Sequence, residues 1–107
     1  MILNLSSGSQ VANPTDDQIR EFLGRLNVRR DGEGFAILGA EKSETYIQVS
    51  GDKTIGFDME YQEGDVKKHY RAKRNDFKLD DVVRAFTEYR DGTIDWGKYG
   101  DWERITW

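Results

Sequence analysis

The chain has one histidine, His69, and no cysteine, and its densest run of cations surrounds that histidine: Lys67, Lys68, Arg71, Lys73 and Arg74, with Tyr70 interleaved. Three chemistries could use these residues. His69 with Asp58 would make an acid–base dyad. Cations with an interleaved aromatic could neutralise the backbone and stack on the bases of a single-stranded nucleic acid, through Lys67, Arg71, Lys73 and Arg74. The third reading is structural: two strands of one hairpin, the first acidic and the second basic. The dyad lacks a nucleophile, since there is no Cys and no Ser at a strand-to-helix elbow. Zinc-ligand spacing is absent, and Asp91, Asp95, Asp101 and Glu103 do not follow a calcium-loop pattern. No glycine motif for phosphate occurs. We therefore expect no catalytic set, no metal and no cofactor.

The hairpin reading follows from TIGFDMEYQEGDVKKHYRAK, residues 54 to 73. Ile55, Phe57, Met59 and Tyr61 alternate with Thr54, Gly56, Asp58 and Glu60, the period of a half-buried strand. A two-residue loop at Glu63–Gly64 would set Glu60 opposite Lys67, Asp58 opposite His69 and Gly56 opposite Arg71. Tyr61 would then face Val66, and Phe57 would face Tyr70. Such cross-strand pairs are each worth about 0.2–1 kcal/mol. They account for the basic run without a ligand, so nucleic acid is the weaker reading.

The second group with binding chemistry is the tail TIDWGKYGDWERITW. Trp96, Tyr99, Trp102 and Trp107 alternate with Asp95, Asp101 and Glu103. Trp and Tyr anchor interfaces, and an acidic rim suits a basic protein partner. Trp96 and Trp102 are expected to close the core, with Trp107 exposed. The candidate partner-binding set is Asp58, Glu60, Asp95, Tyr99, Asp101, Glu103 and Trp107.

These residues must be held by a small frame. The 107 residues make one domain, 36% hydrophobic and 34% charged. A net charge of −4 disfavours general affinity for phosphate backbones or anionic lipid. The start, MILNLSSGSQ, does not read as a signal peptide, and no stretch approaches a membrane span. A cytoplasmic location is expected.

Thr15 followed by DDQ reads as a helix start, with Gln18 completing a capping box and Asp16 and Asp17 favoured by the helix dipole. Ile19, Phe22, Leu23 and Leu26 form its apolar stripe. A second stripe, Leu79, Val82, Val83, Phe86 and Tyr89, precedes Gly92 as a helix stop. Strands are expected at Phe35 to Leu38, Thr45 to Val49, Thr54 to Tyr61 and in the basic run, with short ones at Ile2 to Leu5 and Trp102 to Trp107. The fold expected is α+β: an antiparallel sheet of four to five strands, with an N-terminal and a C-terminal helix on one face. The other face would be polar and free for a partner.

The segments FAILGAEKSETYIQV, GFDMEYQEGDVKKHYRA and LDDVVRAFTEYRDGTIDWGKYGDWERI resemble small bacterial immunity proteins of polymorphic toxin systems, in particular the immunity family associated with deaminase toxins. The resemblance spans about residues 33 to 105. It implies an α+β fold with a Trp-rich C-terminal part, and a non-enzymatic inhibitor that binds a basic bacterial toxin. A homodimer through an open sheet edge is the structural alternative.

Overall fold

The computed structural model describes residues 1–31, 34–41 and 43–106. Its framework is one antiparallel sheet of seven strands in the order β2-β1-β3-β4-β5-β6-β7. The strands are β1 (Ile2–Leu5), β2 (Gln10–Ala12), β3 (Phe35–Gly39), β4 (Tyr46–Asp52), β5 (Gly56–Gln62), β6 (His69–Ala72) and β7 (Trp102–Ile105). Two helices, α1 (Asp16–Gly24) and α3 (Leu79–Asp91), pack together on one face, and a single helical turn, α2 (Val28–Asp31), leads into β3. The class is α+β as expected, and the four or five strands expected undercount the sheet. β2, three residues paired to β1, is the strand with no forecast in the sequence. Among the described residues no helix is long and apolar enough to cross a membrane.

Alternation decides which side chains meet the helices. Leu3, Leu5, Ala36, Leu38, Ile47, Val49, Phe57 and Met59 point to one face and are buried. Ile19 and Leu23 of α1 and Val82, Val83, Ala85 and Phe86 of α3 close over them. Thr15 caps α1 as predicted: the Gln18 N–H donates to Thr15 Oγ1 (3.2 Å), and the Thr15 N–H donates to Gln18 Oε1 (2.9 Å). Gly92 ends α3 in the left-handed conformation, φ 75°. Arg90 ties the two helices together, donating to the Pro14 carbonyl (3.0 Å) and pairing with Asp16 (2.5 Å).

The β4–β5 connection is tighter than the alternation suggests. Ile55 belongs to the turn and is exposed instead of joining Phe57 in the core. Asp52, buried, organises this corner. Its carboxylate accepts the Thr54 and Ile55 N–H groups (2.8 and 3.1 Å) and the Val28 N–H at the start of α2 (3.2 Å). Burial alone would raise its pKa. The three N–H donors and the Arg29 charge outweigh burial and hold it below the ordinary value.

The β5–β6 hairpin has a longer loop than two residues. Asp65 caps a short 3-10 turn over Val66–Lys68, its carboxylate accepting the Lys67 N–H at 2.7 Å, and Gly64 supplies a positive φ of 82°. The Glu63 N–H then donates to the Lys68 carbonyl (3.1 Å) and closes the loop. The register therefore sets Glu60 opposite Arg71, Tyr61 opposite Tyr70 and Gln62 opposite His69. The expected pairs Glu60–Lys67, Asp58–His69, Gly56–Arg71, Tyr61–Val66 and Phe57–Tyr70 do not form. The displacement is an even number of residues, so the side chains that remain in β5 and β6 keep their predicted faces, while Ile55 and Val66 to Lys68 leave the strands.

Candidate partner-binding surface

The face of the sheet away from the helices carries two rows of cross-strand neighbours. One runs Gln10, Asn4, Ile37, Gln48, Glu60, Arg71, Glu103, and the other Ala12, Ile2, Gly39, Tyr46, Gln62, His69, Ile105. Ile2, Ile37 and Tyr46 stand on β1, β3 and β4 among Gln10, Asn4 and Gln48, and the charges Glu60, Arg71 and Glu103 stand on β5, β6 and β7 with Ile105. Two recesses follow that division. One, about 280 Å³, is mixed: Ile2, Ile37 and Tyr46 line it together with Asn4, Gln10, Glu41 and Ser43. The other, about 340 Å³, is lined by Asp58, Arg71, Ala72, Lys73, Asn75 and Glu103.

The second recess gathers predicted residues of both signs. Arg71 pairs with Glu103 (3.1 Å) across β6 and β7. The Asp58 carboxyl is pushed up by burial and by the neighbouring Glu60 charge, and Arg71 pulls it partly back. Glu60 turns to His69, whose Nε2 lies 2.8 Å from Glu60 Oε1. His69 is thus paired with a carboxylate, but with Glu60 and not Asp58, because of the longer loop. It is buried.

The rest of the expected set is dispersed. Asp95 is exposed and caps the 3-10 turn Trp96–Tyr99 by accepting the Gly97 N–H (3.0 Å). Asp101 is exposed where β6 and β7 meet, its carbonyl accepting the Lys73 N–H (2.9 Å). Tyr99 is a correction: it is buried, its ring edge-on to Phe77 and its hydroxyl donating to Glu88 (2.5 Å). A ring enclosed in this way offers no surface to a partner. Trp96 and Trp102, expected in the core, pack against it half-buried, and the Trp102 indole N–H donates to the Trp96 carbonyl (2.8 Å). Trp107 lies outside the described residues.

The basic residues proposed for nucleic acid are divided. Arg71 and Lys73 line the charged recess, while Arg74 pairs with Asp76 (2.7 Å) and lies over the Phe77 ring (4.5 Å). Lys67 lies at another corner with Val66, Arg104 and Thr106. Tyr70 stacks on Tyr61, 5.0 Å between centroids, on the helix side. The four cations thus make no continuous track beside an exposed aromatic.

Gln62 was not among the expected residues, because its position depends on the register. Ile37 lay within an apolar run that gives no face by itself. Among the described residues no group of His, Cys, Asp and Glu is arranged to hold a metal ion. Compared with known protein families, with curated proteins and with solved structures, the chain matches none.

Proposed function

We propose that this chain is a non-enzymatic protein-binding module, an immunity-like inhibitor that uses the open face of its sheet to bind a bacterial toxin. The observation that carries the reading is the division of that face. Among the described residues α1 and α3 pack on the opposite face; Ile2, Ile37 and Tyr46 sit at one side of the open face among polar groups, and Asp58, Glu60 and Glu103 sit at the other with Arg71 and Lys73. A protein partner can use both parts at once: apolar contacts for affinity, and charges for orientation and fast encounter. The sequence resemblance to immunity proteins of deaminase toxins points the same way, as does the net charge of −4 toward a basic partner.

The test uses the tagged chain as bait in lysate of the source organism, with elution in salt steps. A variant carrying Asp58→Lys and Glu103→Lys, checked for an unchanged circular dichroism spectrum, is run beside it. One basic protein held by the unaltered chain through high salt, and lost by the variant, is the expected result. Equal capture by both baits, or elution of nucleic acid alone at low salt, would overturn the reading.

A further inference from the structure

His69, Gln62, Glu60 and Tyr46 form a connected polar group at the centre of the open face. Its geometry fixes a proton count. Gln62 Nε2 donates to the Glu44 carbonyl (2.8 Å), and that carbonyl can only accept. The amide orientation is therefore set, and Gln62 Oε1 must face the ring. That oxygen accepts the Tyr46 hydroxyl (3.3 Å) and lies 3.0 Å from His69 Nδ1. On its other side the ring presents Nε2 to Glu60 Oε1 at 2.8 Å. Each ring nitrogen thus faces an oxygen acceptor, and the histidine side chain is 4% exposed.

A neutral imidazole carries one N–H. With the hydrogen on Nδ1, the Nε2 lone pair would point at an ionised carboxylate. With the hydrogen on Nε2, the Nδ1 lone pair would point at the Gln62 oxygen. Either tautomer leaves two acceptors in contact where water is scarce. We infer that the His69–Glu60 pair is a proton-binding site, holding one proton more than a neutral imidazole beside a free carboxylate. Loaded, the pair is net neutral. Unloaded, it adds one negative charge to the open face, between Gln62 and Arg71.

Among the described residues, charged and titratable groups stand near the pair on each neighbouring strand. From β5 come Glu60 itself and Asp58, one alternation further along. From β4 comes Tyr46, its ring edge-on to the imidazole at 6.1 Å, with Glu44 just before the strand. From β7 comes Glu103, already held by Arg71, while Ile105 stands directly opposite His69. Lys67 and Lys68 precede it in the loop, and Arg71 follows it on β6. Arg71, the cross-strand neighbour of Glu60, is engaged with Glu103, and Glu60 is met by the ring.

His69 is the chain's one histidine, so its ring signals are unambiguous. The experiment is a long-range proton–nitrogen correlation spectrum of the labelled chain, with the Glu60 carboxyl carbon followed in parallel, from about pH 5 to about pH 9. Two protonated ring nitrogens at the acid end, or an Nδ1–H ring with a protonated Glu60, is the expected state. A single neutral tautomer beside an ionised Glu60 over the whole range would overturn the inference. Glu60→Gln keeps the shape and can donate to Nε2, so a ring with its one hydrogen on Nδ1 satisfies both neighbours and the extra proton should be absent. The same proton count in that variant as in the parent chain would equally overturn it.

Discussion

Tyr61 and Trp96 lie face to face, with ring centroids 3.8 Å apart and planes 7° from parallel. Tyr61 is buried, and Trp96 packs half-buried against the core. Tyr70 lies against the other side of Tyr61, and Trp102 stands edge-on to both members of the pair, at 4.8 Å from Tyr61 and 5.4 Å from Trp96. Trp96→Ala is expected to lower stability by about 2–3 kcal/mol, below the loss for a fully buried Trp because the ring is half-buried. Trp96→Phe should recover more than half of that. Urea unfolding followed by circular dichroism checks both, and equal losses for the two variants would refute the role given to the stack.

Asp52 gives a prediction at acid pH. Its carboxyl has a lower pKa folded than the ordinary value of 3.8, so the stability it lends is present above that value and lost as pH falls through its folded pKa. Asp52→Asn should flatten the acid limb of the stability curve below about pH 4. Asp52→Ala, which leaves three N–H groups without their acceptor, should cost about 2–3 kcal/mol at neutral pH. An acid limb identical in Asp52→Asn and the parent chain would count against this account.

Gly51 sits at φ +122°, and a Cβ there would lie 2.2 Å from the Gly56 carbonyl oxygen. Both the torsion and the contact exclude a side chain. Gly51→Ala is expected to cost 3 kcal/mol or more, on the order of a major backbone strain, and to reduce the soluble yield. Gly8→Ala is the control: φ is +94°, but nothing lies within 4 Å of the added carbon, so about 1 kcal/mol should be lost. Similar thermal midpoints for the two variants would be the contrary result.

At alkaline pH the tyrosines report the core. The Tyr61 hydroxyl is pushed up to about 12 by burial and by the charges of Glu63 and Tyr70. The Tyr99 hydroxyl is pushed up to about 12 by burial and its bond to Glu88, with Arg84 opposing. Folded values above the ordinary 10.0 mean that their contribution is full below that pH and declines as pH rises toward 12. Tyrosinate absorbance should therefore rise late for these two, together with loss of the circular dichroism signal. Complete ionisation near pH 10 with the fold intact would contradict the burial described.

The elements with strong local signals were readable from the sequence. The Thr15–Gln18 box, the stripe of α3 with Gly92 as stop, and the alternation from Gly56 to Tyr61 each depend on residues close in sequence. β2 was not readable: QVA is too short for a period, and a turn in which the Leu5 N–H donates to the Ser9 carbonyl (3.0 Å) brings it beside β1. The hairpin register failed for a comparable reason. Asp65 captures its own following turn, and residues Val66 to Lys68, which alternate well enough for a strand, enter the loop. Tyr99 carries no local mark of burial, since its enclosure depends on Phe77 and Glu88, brought near by the fold. The open face was legible as a polar face. Its division into apolar and charged parts was not, because that depends on which strands become neighbours.

The strand order also fixes a distance. The recess that holds Ile2, Ile37 and Tyr46 centres on β3 and the charged recess on β6, three inter-strand spacings away, or about 14 Å. That is about the length of nine residues of α-helix, or of four extended residues. A single side chain, or a small molecule, reaches only one of the two. A binder that presents an apolar group and a charged group at that separation engages both, and one with the same groups at another spacing gains only half of the contact. The sheet thus acts as a ruler, and length becomes a criterion of selection alongside charge.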